Sequence, residues 1–313
     1  MSVIRLNLSA PSDPVQLHGS QQCTARALRR AAAGTGPIIL MIHGYKYDPF
    51  SPRHCPQALI FGPGAAHGWP AALGLLRDDH ALGVTIGWRA RGRFAGAYRT
   101  AGLLGADLAR VITTLHKAAP KRPVHLMAHS LGAELALSAL AQAPAKSVGR
   151  VVLLTGASYL SHARAALDSP AGRHAELLNV VSRENDIFDF AFERLIRPDG
   201  ANDRALGQGL WAGNALTLQL DCAETLQRLT AMGCALGAPI RRVCHWSSYT
   251  RPGAMDLYAR FLRRPASLPL TELHRALPQQ TDARWSRLGL GKAVKTRMMP
   301  KIEMRDTLYE RAN

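Results

Sequence analysis

The chain has 313 residues, 47% of them hydrophobic and 19% charged, a balance that excludes a disordered protein. Its formal net charge of +17, from 39 basic and 22 acidic residues, raises the question of a nucleic acid or an anionic surface as partner. The basic residues are 32 Arg and 7 Lys beside 49 Ala, a mix that reads as genome composition. They stand singly or in pairs such as Arg29–Arg30 and Arg263–Arg264, so no nucleic-acid site is expected.

Taken in chain order, Ile4 to Leu8 alternates apolar and polar residues and predicts an edge strand. Cys23 to Ala33 is helix-like. Ile38 to Ile42 is a continuous apolar run closed by His43-Gly44, and Val84 to Trp88 is a second one fenced by Gly83 and Arg89. Gly102 to Ala118 carries helical apolar spacing and stops before Pro120. Val124 to Met127 predicts a strand, Leu131 to Leu140 a helix, and Val151 to Leu154 a strand. Leu177 to Val181 and Leu216 to Leu220 predict strands, and Ala254 to Leu262 a helix. Buried strands alternating with helices mean an α/β class with a mostly parallel central sheet covered on both faces. Such sheets bind ligands at the carboxyl ends of their strands.

No uncharged apolar run reaches the roughly 18 residues of a membrane helix, so no transmembrane segment is expected. Met1 to Pro14 lacks the basic start and apolar stretch of a secretory signal. The five cysteines include no CxxC pair, and reduced thiols in a cytoplasmic protein are the expectation. A zinc site from Cys222, Cys234, Cys244 and His245 fits no knuckle spacing. Neither a metal nor a cofactor is expected.

The turn after Val124–Met127 is Ala128-His129-Ser130-Leu131-Gly132, which fits G-x-S-x-G with Ala in the first place. A nucleophile elbow needs a strand before it and a helix after it, so that a sharp turn lifts the hydroxyl above the sheet. Ser130 has both. Ser147, in Ala145-Lys146-Ser147-Val148-Gly149, has them in reverse order. The alternative role for Ser130 is a helix N-cap.

These segments resemble the α/β-hydrolase superfamily, in particular bacterial esterase/lipase-like serine hydrolases. The resemblance runs from Ile38 to Leu262 and is carried by Met41-Ile42-His43-Gly44-Tyr45, the Ser130 elbow, Glu184-Asn185-Asp186 and Cys244-His245-Trp246. It implies a Ser-Asp-His order along the chain. Ser130 is then the nucleophile, Asp186 the acid and His245 the base, with Glu184, Asp189 and Asp221 as alternative acids. His274 is the other histidine beyond every candidate acid. The resemblance also implies an oxyanion hole from the backbone N–H groups of Leu131 and Tyr45, with Gly44 as hinge. His43, Gly44, Trp88 and His129 are the expected substrate contacts. A carboxylate beside His245 is expected to raise its pKa.

The chain is expected to be one α/β-hydrolase domain over 1–313, with 187–213 as a candidate cap and 265–313 as a C-terminal extension. Loop 46–69 is expected to line the acyl pocket or form a lid, and Phe94 and Tyr98 to wall its far side. Two functions follow: a serine hydrolase of small-molecule esters or thioesters, or a silent hydrolase-fold binding protein. A weaker third is a membrane-surface role for Lys292, Lys295, Arg297, Lys301 and Arg305.

Overall fold

The computed structural model describes residues 3–65, 68–77 and 80–289; the basic residues from Lys292 to Arg305 lie outside them. The first strands and helices are β1 (Val3–Leu8), β2 (Gln16–Leu17), α1 (Thr24–Ala31), β3 (Ile38–Ile42), α2 (Pro56–Leu59), α3 (Trp69–Ala72) and β4 (Leu82–Trp88). They continue as α4 (Phe94–Leu103), α5 (Gly105–Ala118), β5 (Val124–His129), α6 (Gly132–Gln142), β6 (Val148–Leu154), α7 (Leu160–Asp168), β7 (Glu176–Val181) and α8 (Asp186–Leu195). The last are β8 (Ala215–Gln219), α9 (Ala223–Ala231), α10 (Ser247–Thr250), α11 (Ala254–Arg263) and α12 (Leu270–Ala276).

The eight strands form one sheet in the order β2-β1-β4-β3-β5-β6-β7-β8. The β1–β2 pair is antiparallel and the other neighbours are parallel. Side chains of a strand point alternately to its two faces, and the continuous apolar runs follow from that. Ile38, Leu40 and Ile42 enter one core with Leu108 of α5, Leu135 of α6 and Ala163 of α7. Ile39 and Met41 enter the other with Leu229 of α9, Phe261 of α11 and Leu273 of α12. A strand buried on both faces cannot carry a polar alternation, which is why β3 reads as IILMI.

Two expectations change. Ile4–Leu8 is not the edge: β1 lies between β2 and β4. The two residues of β2 cover its outer side, too short a segment for a pattern to reveal. The helix expected over Gly102 to Ala118 starts at Gly105 as α5, and an unexpected helix, α4, precedes it, the two meeting at Leu104. Gly96 and Gly102 give α4 poor intrinsic helicity, and its burial of Ala97 and Ala101 against the core supplies the rest.

Candidate active site

Ser130 stands at the carboxyl end of β5, in the middle of the sheet. Its φ is +53°, a left-handed backbone that a non-glycine residue adopts only when its surroundings impose it. Three backbone bonds impose it here. Ser130 N–H donates to Leu154 O at 3.1 Å, and Ser130 O accepts from Ala133 N–H at 2.9 Å and Ala157 N–H at 3.0 Å. The small residues around the turn are required. A Cβ on Gly44 would sit 2.7 Å from Ser130 Cβ, and one on Gly132 2.6 Å from His43 O. Ser147 is at the opposite end of the sheet, before β6, with its hydroxyl donating to Pro144 O at 2.6 Å.

His245 lines the same cavity as Ser130. Its Nδ1 hydrogen-bonds Asn185 Oδ1 at 2.7 Å. An amide oxygen only accepts, so Nδ1 carries the proton and Nε2 is left as the basic nitrogen. The ring stacks on Phe188 at 4.6 Å between centroids and tilts against His129 at 4.7 Å. Burial, with His129 adding to it, pushes the His245 pKa well below its usual value. This reverses the expected rise, because the partner is a neutral amide that gives the imidazolium no countercharge.

The structure does not bring Asp186 to His245. The Asp186 carboxylate pairs with Arg183 at 3.2 Å and accepts the Trp285 N–H at 2.6 Å. The reason lies in helix geometry. Asn185, the residue just before α8, and Asp189 are four residues apart and fall on the same side of the turn, while Asp186 is rotated away by about 100°. Burial raises the Asp186 pKa against the opposing effect of Arg183. The other acids are also engaged: Asp221 accepts Arg183 N–H at 3.1 and 3.0 Å, and Glu184 pairs with Arg251. His274 sits on α12, outside the residues that line the cavity.

Among the described residues, the N–H groups of Tyr45 and Leu131 donate to no protein acceptor. Leu131 opens α6, where the helix dipole also favours an anion. Tyr45 faces the cavity too, its hydroxyl bonded to Gly92 O and its ring edge-on to Phe94 at 5.2 Å. The cavity measures about 130 Å³ and its apolar wall includes Phe94, Ala157, Phe188, Phe192 and Leu195. Phe188, Phe192 and Leu195 all come from α8, within the segment read as a candidate cap. Lys46 and Tyr47 are the residues that loop 46–69 contributes.

His43 and Trp88 do not line the cavity. Both are fully buried. Trp88 N–H donates to His43 Nε2 and Trp88 Nε1–H to His43 O, each at 3.1 Å, and the rings stack. This pair locks the end of β3 to the end of β4, which positions the Gly44–Tyr45 loop. His129 does line the cavity, with Nε2 donating to His245 O at 3.2 Å, and burial lowers its pKa to about 4. Sequence reasoning missed Thr155, whose φ is +41° and whose hydroxyl bonds His245 O at 3.3 Å. It also missed the pairing of Asn185 with His245. The i, i+4 spacing of Asn185 and Asp189 was the available signal for that one.

Residues 21–154, which include the elbow but neither Asn185 nor His245, match a family described as alpha/beta hydrolase of unknown function (DUF900). No protein with a curated description matches the chain. Among solved structures, TT1662 from Thermus thermophilus is similar at 16% identity and a TM-score of 0.34, over 60% of this chain and 80% of that one. An alpha/beta hydrolase fold protein from Nakamurella multipartita is similar at 12% identity and a TM-score of 0.37, over 74% of this chain and 93% of that one.

Proposed function

From an α/β-hydrolase fold whose residues 21–154 match alpha/beta hydrolases of unknown function, we propose a serine hydrolase that cleaves carboxylic esters or thioesters. One observation carries this reading: a serine held at φ +53° and a histidine with a free basic nitrogen line one apolar cavity. His245 Nε2 takes the Ser130 proton as Oγ attacks the carbonyl carbon. The Tyr45 and Leu131 N–H groups receive the developing oxyanion. His245 then protonates the leaving alcohol or thiol, and water hydrolyses the acyl-enzyme by the same route in reverse. Asn185, not Asp186, holds the Nδ1–H. His129 shapes the pocket as a neutral ring.

The five unpaired cysteines fit an enzyme of the reducing cytoplasm, and the described residues include no helix able to cross a membrane. Part of the positive charge is turned inward. Arg122, Arg150, Arg183 and Arg251 are buried and bonded internally. The testing experiment is turnover of short aryl esters by wild type, Ser130→Ala and His245→Ala across pH. Turnover in the wild type should fall off at lower pH than an ordinary histidine, titrating near ~6.5, would allow, because burial favours the neutral ring of His245, and it should vanish in both variants. Equal turnover in all three would discard the reading in favour of a binding protein.

A further inference from the structure

Building on the reading of Ser130 and His245 as nucleophile and base, we infer that Asp189 is a positioning residue that holds the Asn185 amide with its oxygen toward His245. An amide in the third place is ambivalent. Its oxygen end gives the imidazole an Nδ1–H and a basic Nε2; its NH₂ end gives the opposite tautomer, which cannot take the Ser130 proton. The wrong tautomer is what makes an amide so damaging in ordinary triads, at about 10⁴-fold in rate. Something must therefore choose the end.

Asp189 is placed to choose. Asn185 Nδ2 donates to Asp189 Oδ1 at 2.9 Å, and Asn185 Oδ1 meets His245 Nδ1 at 2.7 Å. Asn185 is 2% exposed and Asp189 4%, so water does not compete for the amide. The sequence also makes room for the carboxylate. A Cβ on Gly207 would lie 1.9 Å from Asp189 Oδ2, so any other residue there would displace it. Arg183 donates to the Gly207 carbonyl and holds that wall in place.

The charged groups around Asp189 are Arg183 from the turn after β7, Arg284 from the C-terminal segment, and Asp186 and Glu193 on α8 itself; His245 lies across Asn185. Burial pushes Asp189 up to about 7, the two acids reinforce that and the two guanidiniums oppose it. An ionised carboxylate only accepts, so above neutrality it takes the NH₂ end of Asn185 and fixes the productive tautomer. A protonated carboxyl can also donate and tolerates either end. The tautomer of His245 should therefore loosen as pH falls through 7, while His245 itself remains uncharged.

The test is ¹⁵N-histidine-labelled protein observed by long-range ¹H–¹⁵N correlation, with His245 identified by its loss in His245→Gln. At pH 8 the wild type should show one tautomer, protonated at Nδ1, giving way to a mixture below pH 7. Asp189→Leu should show a mixture at every pH. Asp189→Asn retains an oxygen for Asn185 Nδ2, so it should favour the wild-type tautomer with no step near 7. On an aryl ester, Asp189→Leu should lower kcat roughly 10- to 10³-fold with KM near normal, short of the loss from a fixed wrong tautomer. A folded Asp189→Leu variant with the single wild-type tautomer would overturn the inference. Should that variant not fold, identical pH-independent tautomer ratios in wild type and Asp189→Asn would overturn it. The tautomer readout needs no turnover. A chain that hydrolyses nothing yet shows these shifts would refute the hydrolase reading alone.

Discussion

Replacing His43 by Gln should flatten the acid side of the stability curve. His43 has no exposed surface; its Nδ1 donates to Gly44 O at 2.8 Å and its Nε2 accepts the Trp88 N–H at 3.1 Å. A protonated ring has no lone pair for Trp88, and burial pushes the His43 pKa down to about 3. In the unfolded chain a histidine titrates near ~6.5. The folded value is the lower one, so the stabilisation is fully present above pH ~6.5 and is lost as pH falls toward 3. Between pH 8 and pH 5 the loss spans about 1.5 pH units, or about 2 kcal/mol. At pH 8 the variant should be less stable by about 1–3 kcal/mol, the cost of unpaired buried groups. At pH 5 that gap should have narrowed by about 2 kcal/mol, since Gln does not titrate. Urea unfolding of both proteins at the two pH values, followed by tryptophan fluorescence, measures it. Parallel pH dependence in the two proteins would refute the reasoning.

Gly132→Ala should destabilise by about 1–3 kcal/mol, because its Cβ would press on the backbone oxygens of His43 and Ile42 at 2.6 and 2.8 Å; an unchanged Tm would contradict the close approach of α6 to β3. Asp186→Asn should lower Tm through its ion pair with Arg183 and leave kcat near normal, whereas Asn185→Ala should cut kcat by roughly 10²-fold or more on an aryl ester. His162, raised to about 9 chiefly by its hydrogen bond to Glu134, contributes stability that is full below pH ~6.5 and lost as pH rises through 9. His162→Gln should therefore cost more stability at pH 6 than at pH 10 in chemical unfolding, and an equal cost at both would contradict the charged pair.

The sheet was legible because its strands are buried on both faces. Runs such as IILMI in β3 leave little else to be; β3 has its expected ends, and the ends of β4 to β8 lie no more than three residues from theirs. The elbow was legible because strand, turn and helix are contiguous around Ser130. What the sequence hid depends on rotation about an axis or on contact between distant segments. Asp186 and Asn185 are neighbours, and only the start of α8 at Asp186 decides which of them faces His245. His43 and Trp88 looked like pocket residues because they end adjacent strands, but their bonding to each other turns both into the core. Phe188 and Phe192 became pocket walls through contacts with distant segments, Phe188 with His245 and Phe192 with Phe94 and Tyr98. Helix α4 was hidden by its glycines, since tertiary contacts stabilise it rather than propensity.

The central claim is that Ser130, and no other serine, is an activated nucleophile. Labelling with a fluorescent fluorophosphonate measures this directly, on wild type, Ser130→Ala and Ser147→Ala, each with a heat-denatured control. Native wild type and Ser147→Ala should label equally. Ser130→Ala should fall to the denatured background, a loss of roughly 10³-fold or more in rate. Undiminished labelling of folded Ser130→Ala, or none of native wild type, would contradict the account.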